Sequence, residues 1–224
     1  MTDDPTTLFA RLRAACTADW EAYTGHAFVR QLAAGTLPEK CFRQYLIQDY
    51  LFLIHFARAW ALAAFKADEL AEIRGATAAL SGIVDVEMEL HVKYCADWGL
   101  TEADMASAPE AMETTAYTRY VFERGMAGDL LDLHVALAPC IMGYGEIGAA
   151  LAADADTVME GNPYRSWIEM YAGDEYQEIA DGAVAQLDRL ASSKGADARF
   201  ADLTKTFAQA TRLEEAFWQM GLNA

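Results

Sequence analysis

The segment from residue 45 to residue 56 places a carboxylate among aromatic rings. Side chains three and four apart share one face of a helix, so Asp49 falls on the stripe formed by Tyr45, Phe52 and Phe56. A buried carboxylate needs hydrogen-bond donors. Two interpretations stay open: Asp49 is paired with a remote arginine or backbone group, or the rings sandwich a flat nitrogen heterocycle whose amino groups donate to Asp49.

The C-terminal segment carries a second inward-facing acid. Glu214 shares a stripe with Phe207, Phe217 and Trp218, whereas Glu215 falls on a polar stripe. Burial disfavours the charged form of a carboxyl group and raises its pKa, so a buried Glu214 could transfer protons near neutrality. The alternative is an ordinary glutamate at the edge of the core.

One of the four cysteines has neighbours that could activate it. Pro139 cannot donate to the preceding turn, so a helix there kinks or restarts. If it restarts, Cys140 lies in a first turn, where free N–H groups and the helix dipole favour the thiolate, and Tyr144 could hydrogen-bond the sulfur. The alternative is an inert core thiol. That interpretation is the one we give to Cys16, Cys41 and Cys95.

The histidines and acids do not follow the pattern of a metal site. Helical bundles that hold two iron ions repeat a Glu-x-x-His motif, but His91 lies four residues after Glu87 and the residue at the third place is Leu90. Haem ligation by His26 or His55 lacks both an attachment motif and a second ligand. We therefore expect no metal and no haem.

The hydrophobic periodicity is helical almost throughout, and no stretch alternates for long enough to predict a strand. Caps and turn residues predict helices over about 8–23, 39–67, 70–98, 110–124, 129–153, 163–170, 174–192 and 197–220, with one short turn after Thr101. Gly99 and Gly125 are expected to end two of them. The prediction is an all-α helical bundle in which residues 1–224 form a single domain.

Composition limits the partners. The 224 residues include 17 Lys and Arg against 34 Asp and Glu, so the formal charge of −17 opposes binding to nucleic acid or anionic lipid. The acidic N-terminus does not resemble an export signal, and no uninterrupted apolar run approaches the ~20 residues of a membrane span. Scattered cysteines without C-x-x-C pairs indicate free thiols. We expect a cytoplasmic protein without membrane or nucleic-acid partners.

Taken together, eight stretches resemble the TenA/thiaminase II family of the haem-oxygenase-like superfamily, and the resemblance covers nearly the whole chain. Singly each is weak, but their order and intervals are specific. The stretches are 26–29 with the turn at 35–38, 48–51 with 55–57, 87–91, 116–118, 139–140 with Tyr144, 146–148, 171–174, and Glu214 with 217–218.

The resemblance implies a reaction and a mechanism. Members of this family hydrolyse 4-amino-5-aminomethyl-2-methylpyrimidine to the hydroxymethyl pyrimidine and ammonia, which salvages degraded thiamin, and the same chemistry cleaves thiamin into its pyrimidine and thiazole. Cys140 would add to the pyrimidine ring, and Glu214 would protonate the leaving amine and later deprotonate water. Asp49 would hold the ring amino group and a ring nitrogen. No cofactor is implied, and members are commonly homotetramers.

The resemblance also assigns the remaining residues of the expected site. Tyr117 and Tyr171, which the pattern alone makes boundary residues, would bind the ring or position the thiol together with Tyr144. Phe52 stands where a branch of the family has tyrosine near the nucleophile, so Tyr144 would serve alone. Cys140 places the chain with the cysteine branch rather than with the branch that uses a glutamate.

Two other classes of function stay open beside the hydrolase. A non-catalytic pyrimidine-binding or regulatory protein would need the aromatic pocket and Asp49, but not Cys140 together with Glu214. A haem-oxygenase-like, oxygen-activating metalloenzyme would need bound iron.

Overall fold

The structure, a computed structural model, describes residues 4–96 and 98–224, with the backbone alone at Leu90. These residues form helices and no strand, which confirms the all-α prediction. The helices are α1 Leu8–Ala15, α2 Thr17–Thr24, α3 Ala27–Ala33, α4 Glu39–Lys66, α5 Leu70–Gly82, α6 Met88–Ala96, α7 Glu102–Ser107, α8 Met112–Ala127, α9 Leu130–Ala138, α10 Tyr144–Ala153, α11 Arg165–Ala172, α12 Asp174–Ser193 and α13 Phe200–Leu222. Single π turns link α5 to α6 (Ile83–Glu87) and α9 to α10 (Pro139–Gly143), and a 3₁₀ turn (Ala196–Arg199) precedes α13.

The predicted boundaries hold for most helices and differ at three places. The expected first helix breaks at Cys16, whose backbone leaves the helical region. Helix α3 was not predicted from the sequence. It begins where the His26 ring accepts a hydrogen bond from the Phe28 N–H at 3.2 Å. Gly125 does not end α8. A Cβ at Gly125 would lie 2.9 Å from Leu62 and Leu133 side-chain atoms, so this glycine allows α8 to approach its neighbours.

Two long helices cross the centre of the bundle. α4 follows Pro38, whose fixed φ suits a helix start, and buries residues on most of its turns. α13 packs against α2, α4, α8 and α9. Between them lies a set of stacked rings, among which Trp218 is fully buried and stacks on Phe28 at 4.8 Å between centroids. Burial of each large apolar side chain contributes about 1.5–3 kcal/mol, so this contact holds α13 in register against α3 and α4.

The segment from Leu130 to Ala153 runs as one helix through the second π turn. By length and composition alone, this helix could cross a membrane. No such stretch was predicted from the sequence. Because 67% of its most apolar window is buried inside the protein, it serves here as a core helix.

Candidate active site

Asp49 lies on the buried face of α4, and its partner is a histidine. The Nε2 of His91, on α6, lies 2.6 Å from Asp49 Oδ2, and its Nδ1 lies 2.9 Å from the carbonyl oxygen of Glu87. Both neighbours are acceptors, so both ring nitrogens carry protons. Burial alone would lower the pKa of His91, but the hydrogen bond and charge of Asp49, with the charge of Glu87, outweigh it and raise the pKa to about 9. His91 is therefore an imidazolium at neutral pH, held against Asp49.

This partner differs from the sequence-based expectation of a remote arginine or backbone group. Asp49 and His91 are 42 residues apart, and both are almost fully buried. The pattern of the sequence did single out Glu87 and His91, but only as a poor match to a metal motif. In the structure both ring nitrogens of His91 bind protein atoms instead. Among residues 4–96 and 98–224, no three His, Cys, Asp or Glu side chains lie together as metal ligands.

Glu214 lies on the inner face of α13, 2% exposed, beside the candidate nucleophile. The Tyr117 hydroxyl, from α8, donates to Glu214 Oε1 at 2.8 Å, and the Cys140 thiol interacts with the same carboxyl group. Burial raises the pKa of Glu214, the hydrogen bonds from Tyr117 and Cys140 lower it, and the charge of Asp49 raises it, to about 8 in balance. Glu214 is thus a carboxyl group that exchanges a proton near neutrality, as its position on the apolar stripe predicted.

The expectation of a thiolate stabilised by a helix start is wrong for Cys140. The helix does not restart after Pro139: backbone angles stay helical from Ala138 to Tyr144, and the π turn absorbs the missing N–H of proline. Burial therefore raises the pKa of the Cys140 thiol well above its usual value, and the charges of Glu214 and nearby acids raise it further. Cys140 rests as a thiol, and the base that can remove its proton is Glu214.

Aromatic residues pack around these acids. The rings of Phe52 and Tyr117 lie 5.0 Å apart between centroids and those of Tyr144 and Tyr171 lie 4.9 Å apart. The Tyr144 hydroxyl lies 3.5 Å from that of Tyr45. The thiol therefore interacts with Glu214. The sequence had suggested Tyr144 as its partner. Four of these rings are buried and of a kind suited to contact a flat ligand: those of Phe52, Tyr117, Tyr144 and Tyr171.

Two glycines set how closely the aromatic residues approach. A Cβ at Gly143 would collide with the ring of Tyr23, and a Cβ at Gly148 would lie 2.5 Å from the backbone carbon of Tyr171. Tyr23, which the sequence analysis did not single out, donates to the carbonyl oxygen of Pro139 at 3.3 Å and so supports the turn that carries Cys140. The glycines that follow Pro139 in the sequence indicate that another group packs closely there, but they do not identify that group as Tyr23.

The seven residues predicted for the site come together. Asp49 and Phe52 are supplied by α4, Tyr117 by α8, Cys140 and Tyr144 by the π turn and the start of α10, Tyr171 by α11 and Glu214 by α13. The arrangement combines a soft nucleophile, a carboxyl group that gains and loses a proton near pH 8, and a carboxylate for ring nitrogens. It can add sulfur to an electron-poor aromatic ring and move one proton between the groups that bond there.

Comparison with known proteins agrees with this geometry. The family model described as TENA/THI-4/PQQC matches residues 13–224. A Haemophilus influenzae protein that is uncharacterized is 41% identical over 91% of this chain and 94% of its own length. An aminopyrimidine aminohydrolase of Halalkalibacterium halodurans is 35% identical over 91% of this chain and 90% of its own.

Solved structures extend the comparison to the fold. A protein of Silicibacter sp. TM1040, described as a TenA family transcription regulator, superposes with a TM-score of 0.91 at 46% identity, and the match covers 100% of both chains. A Shewanella denitrificans domain described as having a heme oxygenase-like fold superposes with a TM-score of 0.74 at 13% identity, which shows the shared fold alone.

Proposed function

Since this chain belongs to the TENA/THI-4/PQQC family, we propose that it is a hydrolase of thiamin salvage. It converts 4-amino-5-aminomethyl-2-methylpyrimidine and water to the 5-hydroxymethyl pyrimidine and ammonia, and it cleaves thiamin to its pyrimidine and thiazole. The observation that carries this proposal is the buried group of the Cys140 thiol, Glu214 and Asp49, whose charges influence one another among aromatic rings. Neither a binding protein nor a structural core needs that combination.

The first half of the reaction uses the ionised form of Glu214. The carboxylate takes the thiol proton of Cys140 as the sulfur adds to the pyrimidine ring, so a C–S bond forms and the ring loses aromaticity. Electron density moves toward the ring nitrogens, and Asp49, held by His91, accepts a hydrogen bond from the ring amino group. The Phe52 and Tyr117 rings pack on each other and together form one aromatic wall for the heterocycle.

The second half releases the amine. The C–N bond to the exocyclic methylene breaks and its electron pair leaves with nitrogen. Ammonia then takes the proton of Glu214 and departs as ammonium, whereas with thiamin the neutral thiazole departs and Glu214 gives its proton to solvent. Water then adds to the methylene carbon while Glu214 accepts its proton. The C–S bond breaks, the ring regains aromaticity, and Cys140 recovers a proton. The complete cycle returns the enzyme to its starting protonation without an added redox reagent.

Phe52 shapes the nucleophile's surroundings in this scheme. Its ring stacks against Phe56 at 5.4 Å and packs against Tyr117, so it contributes a wall and no hydroxyl group. Proton transfer at sulfur therefore falls to Glu214, whose pKa of about 8 and proximity to the thiol support this role in place of Tyr144. We further propose that the enzyme works without a cofactor in the cytoplasm as a homotetramer.

The test is a direct assay of both substrates. Ammonia release from the aminomethyl pyrimidine is measured with purified protein, and thiamin cleavage is followed in parallel. Fast ammonia release with slower thiamin cleavage is expected for a salvage hydrolase, whereas the reverse ratio indicates a thiaminase. If the pyrimidine binds and neither compound is turned over, a regulatory binding protein replaces this proposal. Activity that needs stoichiometric iron would replace it with the metalloenzyme.

A further inference from the structure

A cleft of about 410 Å³ adjoins the site on the side of Tyr171. Its volume falls in the range of small-molecule pockets. The walls come from α4, α5, the first π turn, the second π turn, α11 and α12. They are formed by Phe56, Trp60, Ala78, Ala79, Gly82, Ile83, Val86, Glu87, Ile141, Met170, Tyr171, Glu175, Tyr176 and Ile179.

The cleft lies where a leaving group must go. Of the residues that we assign to the pyrimidine, only Tyr171 also lines the cleft, and Ile141 of the cleft directly follows Cys140. Tyr117 and Glu214 are almost fully buried, which closes the opposite side of the site, whereas Cys140 is partly accessible. A group attached to the carbon that neighbours the ring therefore points into the cleft when Cys140 adds.

The charge of the cleft has one sign. Its described lining residues include two acids, Glu87 and Glu175, and none that is basic. Glu175 is exposed at the rim, and Glu87 lies half-buried at the end of the first π turn, close to Tyr171. Burial raises the pKa of Glu87 to about 7, so its carboxyl group carries a negative charge at and above neutral pH. The remaining walls are apolar or aromatic. Such a surface suits an apolar or aromatic group that carries a positive charge.

We propose that Glu87 is the specificity-determining residue of the leaving-group side and selects substrates whose departing nitrogen is positively charged. This inference rests on the proposed function. It covers both substrates named there, since an aliphatic amine is protonated in water near neutrality and the thiazolium of thiamin is permanently charged. Single π turns occur often at functional sites, and in this structure the two flank one site: one carries Cys140 and the other ends at Glu87.

The physics predicts where the effect appears. The positive charge is present when the substrate binds and disappears as nitrogen takes the electron pair of the C–N bond. Glu87 therefore stabilises the bound substrate at least as much as the transition state. Its loss should raise KM while kcat stays nearly constant, which is the signature of uniform binding.

The experiment compares Glu87→Gln with Glu89→Gln, an exposed acid two residues away that pairs with Lys93. Binding is measured by calorimetry in a Cys140→Ala background with two ligands, the aminomethyl pyrimidine and its neutral hydroxymethyl analogue. Glu87→Gln should weaken the affinity for the cationic aminomethyl pyrimidine about tenfold and change the affinity for the neutral hydroxymethyl analogue less than about twofold. In enzyme with Cys140 intact, KM for the aminomethyl pyrimidine should rise about tenfold with kcat within about threefold. Glu89→Gln should change none of these quantities.

Other outcomes overturn the inference. Equal weakening of both ligands would show that Glu87 only positions Tyr171, and no change for either would exclude a role in binding. If Glu87→Gln does not fold, the exposed Glu175→Gln provides the same comparison with an expected two- to threefold effect on the cationic ligand alone. If enzyme with Cys140 intact binds the ligands but releases no ammonia, the proposed function fails while the ratio of affinities still decides the role of Glu87. Failure of both ligands to bind would refute both.

Discussion

Tyr117→Phe removes one hydroxyl from the proton-transfer group and leaves the ring that walls the site. The hydroxyl donates to Glu214 Oε1 at 2.8 Å, and both residues are at most 2% exposed. This hydrogen bond lowers the pKa of Glu214 against the effect of burial, and the resulting pKa is about 8. Since the reaction begins with ionised Glu214, the substitution should change how kcat/KM depends on pH.

The magnitude follows from the difference between two hydrogen bonds. A bond to a charged acceptor contributes about 1.5–3 kcal/mol and one to a neutral acceptor about 0.5–1.5 kcal/mol, so the ionised form loses about 1–1.5 kcal/mol more. That difference corresponds to about one pKa unit, which moves the group from about 8 to roughly 9. At pH 7 the ionised fraction falls from roughly a tenth to roughly a hundredth. We therefore expect about a tenfold loss of kcat/KM at pH 7 that shrinks as the pH rises above roughly 9.

The assay is the pH profile of ammonia release by the natural chain, Tyr117→Phe and Tyr120→Phe. Tyr120 lies on the same helix, and its hydroxyl donates to the Thr206 carbonyl, 3.4 Å away, so its loss should not move the profile. Ionisation of the substrate amine contributes equally to all three profiles. An acid limb of Tyr117→Phe that stays at its original pH, or moves toward lower pH, refutes the assignment of Glu214 as the base.

Three further perturbations test other parts of the site. His91→Gln replaces the cationic partner of Asp49 with a neutral amide, and calorimetry should show affinity for the hydroxymethyl pyrimidine falling tenfold or more; unchanged affinity would mean that Asp49 does not need this partner. Glu214→Gln should affect stability in a pH-dependent way. A carboxyl group whose folded pKa is raised from 4.5 to about 8 contributes stability that is full below pH 4.5 and is lost as the pH rises to 8. The free energy of unfolding of the variant, measured with denaturant, should therefore rise relative to that of the natural chain by roughly 3–5 kcal/mol between pH 4.5 and pH 8. If the two free energies change in parallel with pH, the raised pKa is contradicted. Gly148→Ala places a Cβ 2.5 Å from the Tyr171 backbone and should lower Tm by roughly 3–10 °C, whereas Gly182→Ala, with open space around it, should not lower Tm; equal melting of both would show that α10 and α11 separate freely.

Much of the site could be predicted because helical periodicity fixes which side chains face inward. Asp49 and Glu214 were recognised as acids on apolar stripes, and both are buried. The tyrosines, by contrast, had no distinguishing pattern of their own. Tyr117 and Tyr171 entered only through the family resemblance, because an amphipathic ring at a helix boundary is common in any bundle.

The two errors that concern the site, at Asp49 and at Cys140, involve the two π turns. One extra residue in a turn changes the direction of every later side chain, and this shift does not appear in a pattern of period 3.6. The turn at Ile83–Glu87 brings His91 to Asp49, a pairing that spacing alone does not indicate. The turn at Pro139–Gly143 keeps the helix continuous, so Cys140 lacks the helix start that would have lowered its pKa, and burial with the charges of nearby acids raises the pKa instead.

The central claim is that Cys140 is the nucleophile of an aminopyrimidine hydrolysis. The most direct measurement compares ammonia release and ligand binding in the natural chain, Cys140→Ala and the control Cys16→Ala, which changes a thiol remote from the site residues. The account predicts at least a thousandfold loss of turnover in Cys140→Ala, near the scale seen when nucleophiles are removed from other enzymes, with affinity for the hydroxymethyl pyrimidine within about threefold and Cys16→Ala fully active. Turnover by Cys140→Ala within about tenfold of the natural chain would contradict it.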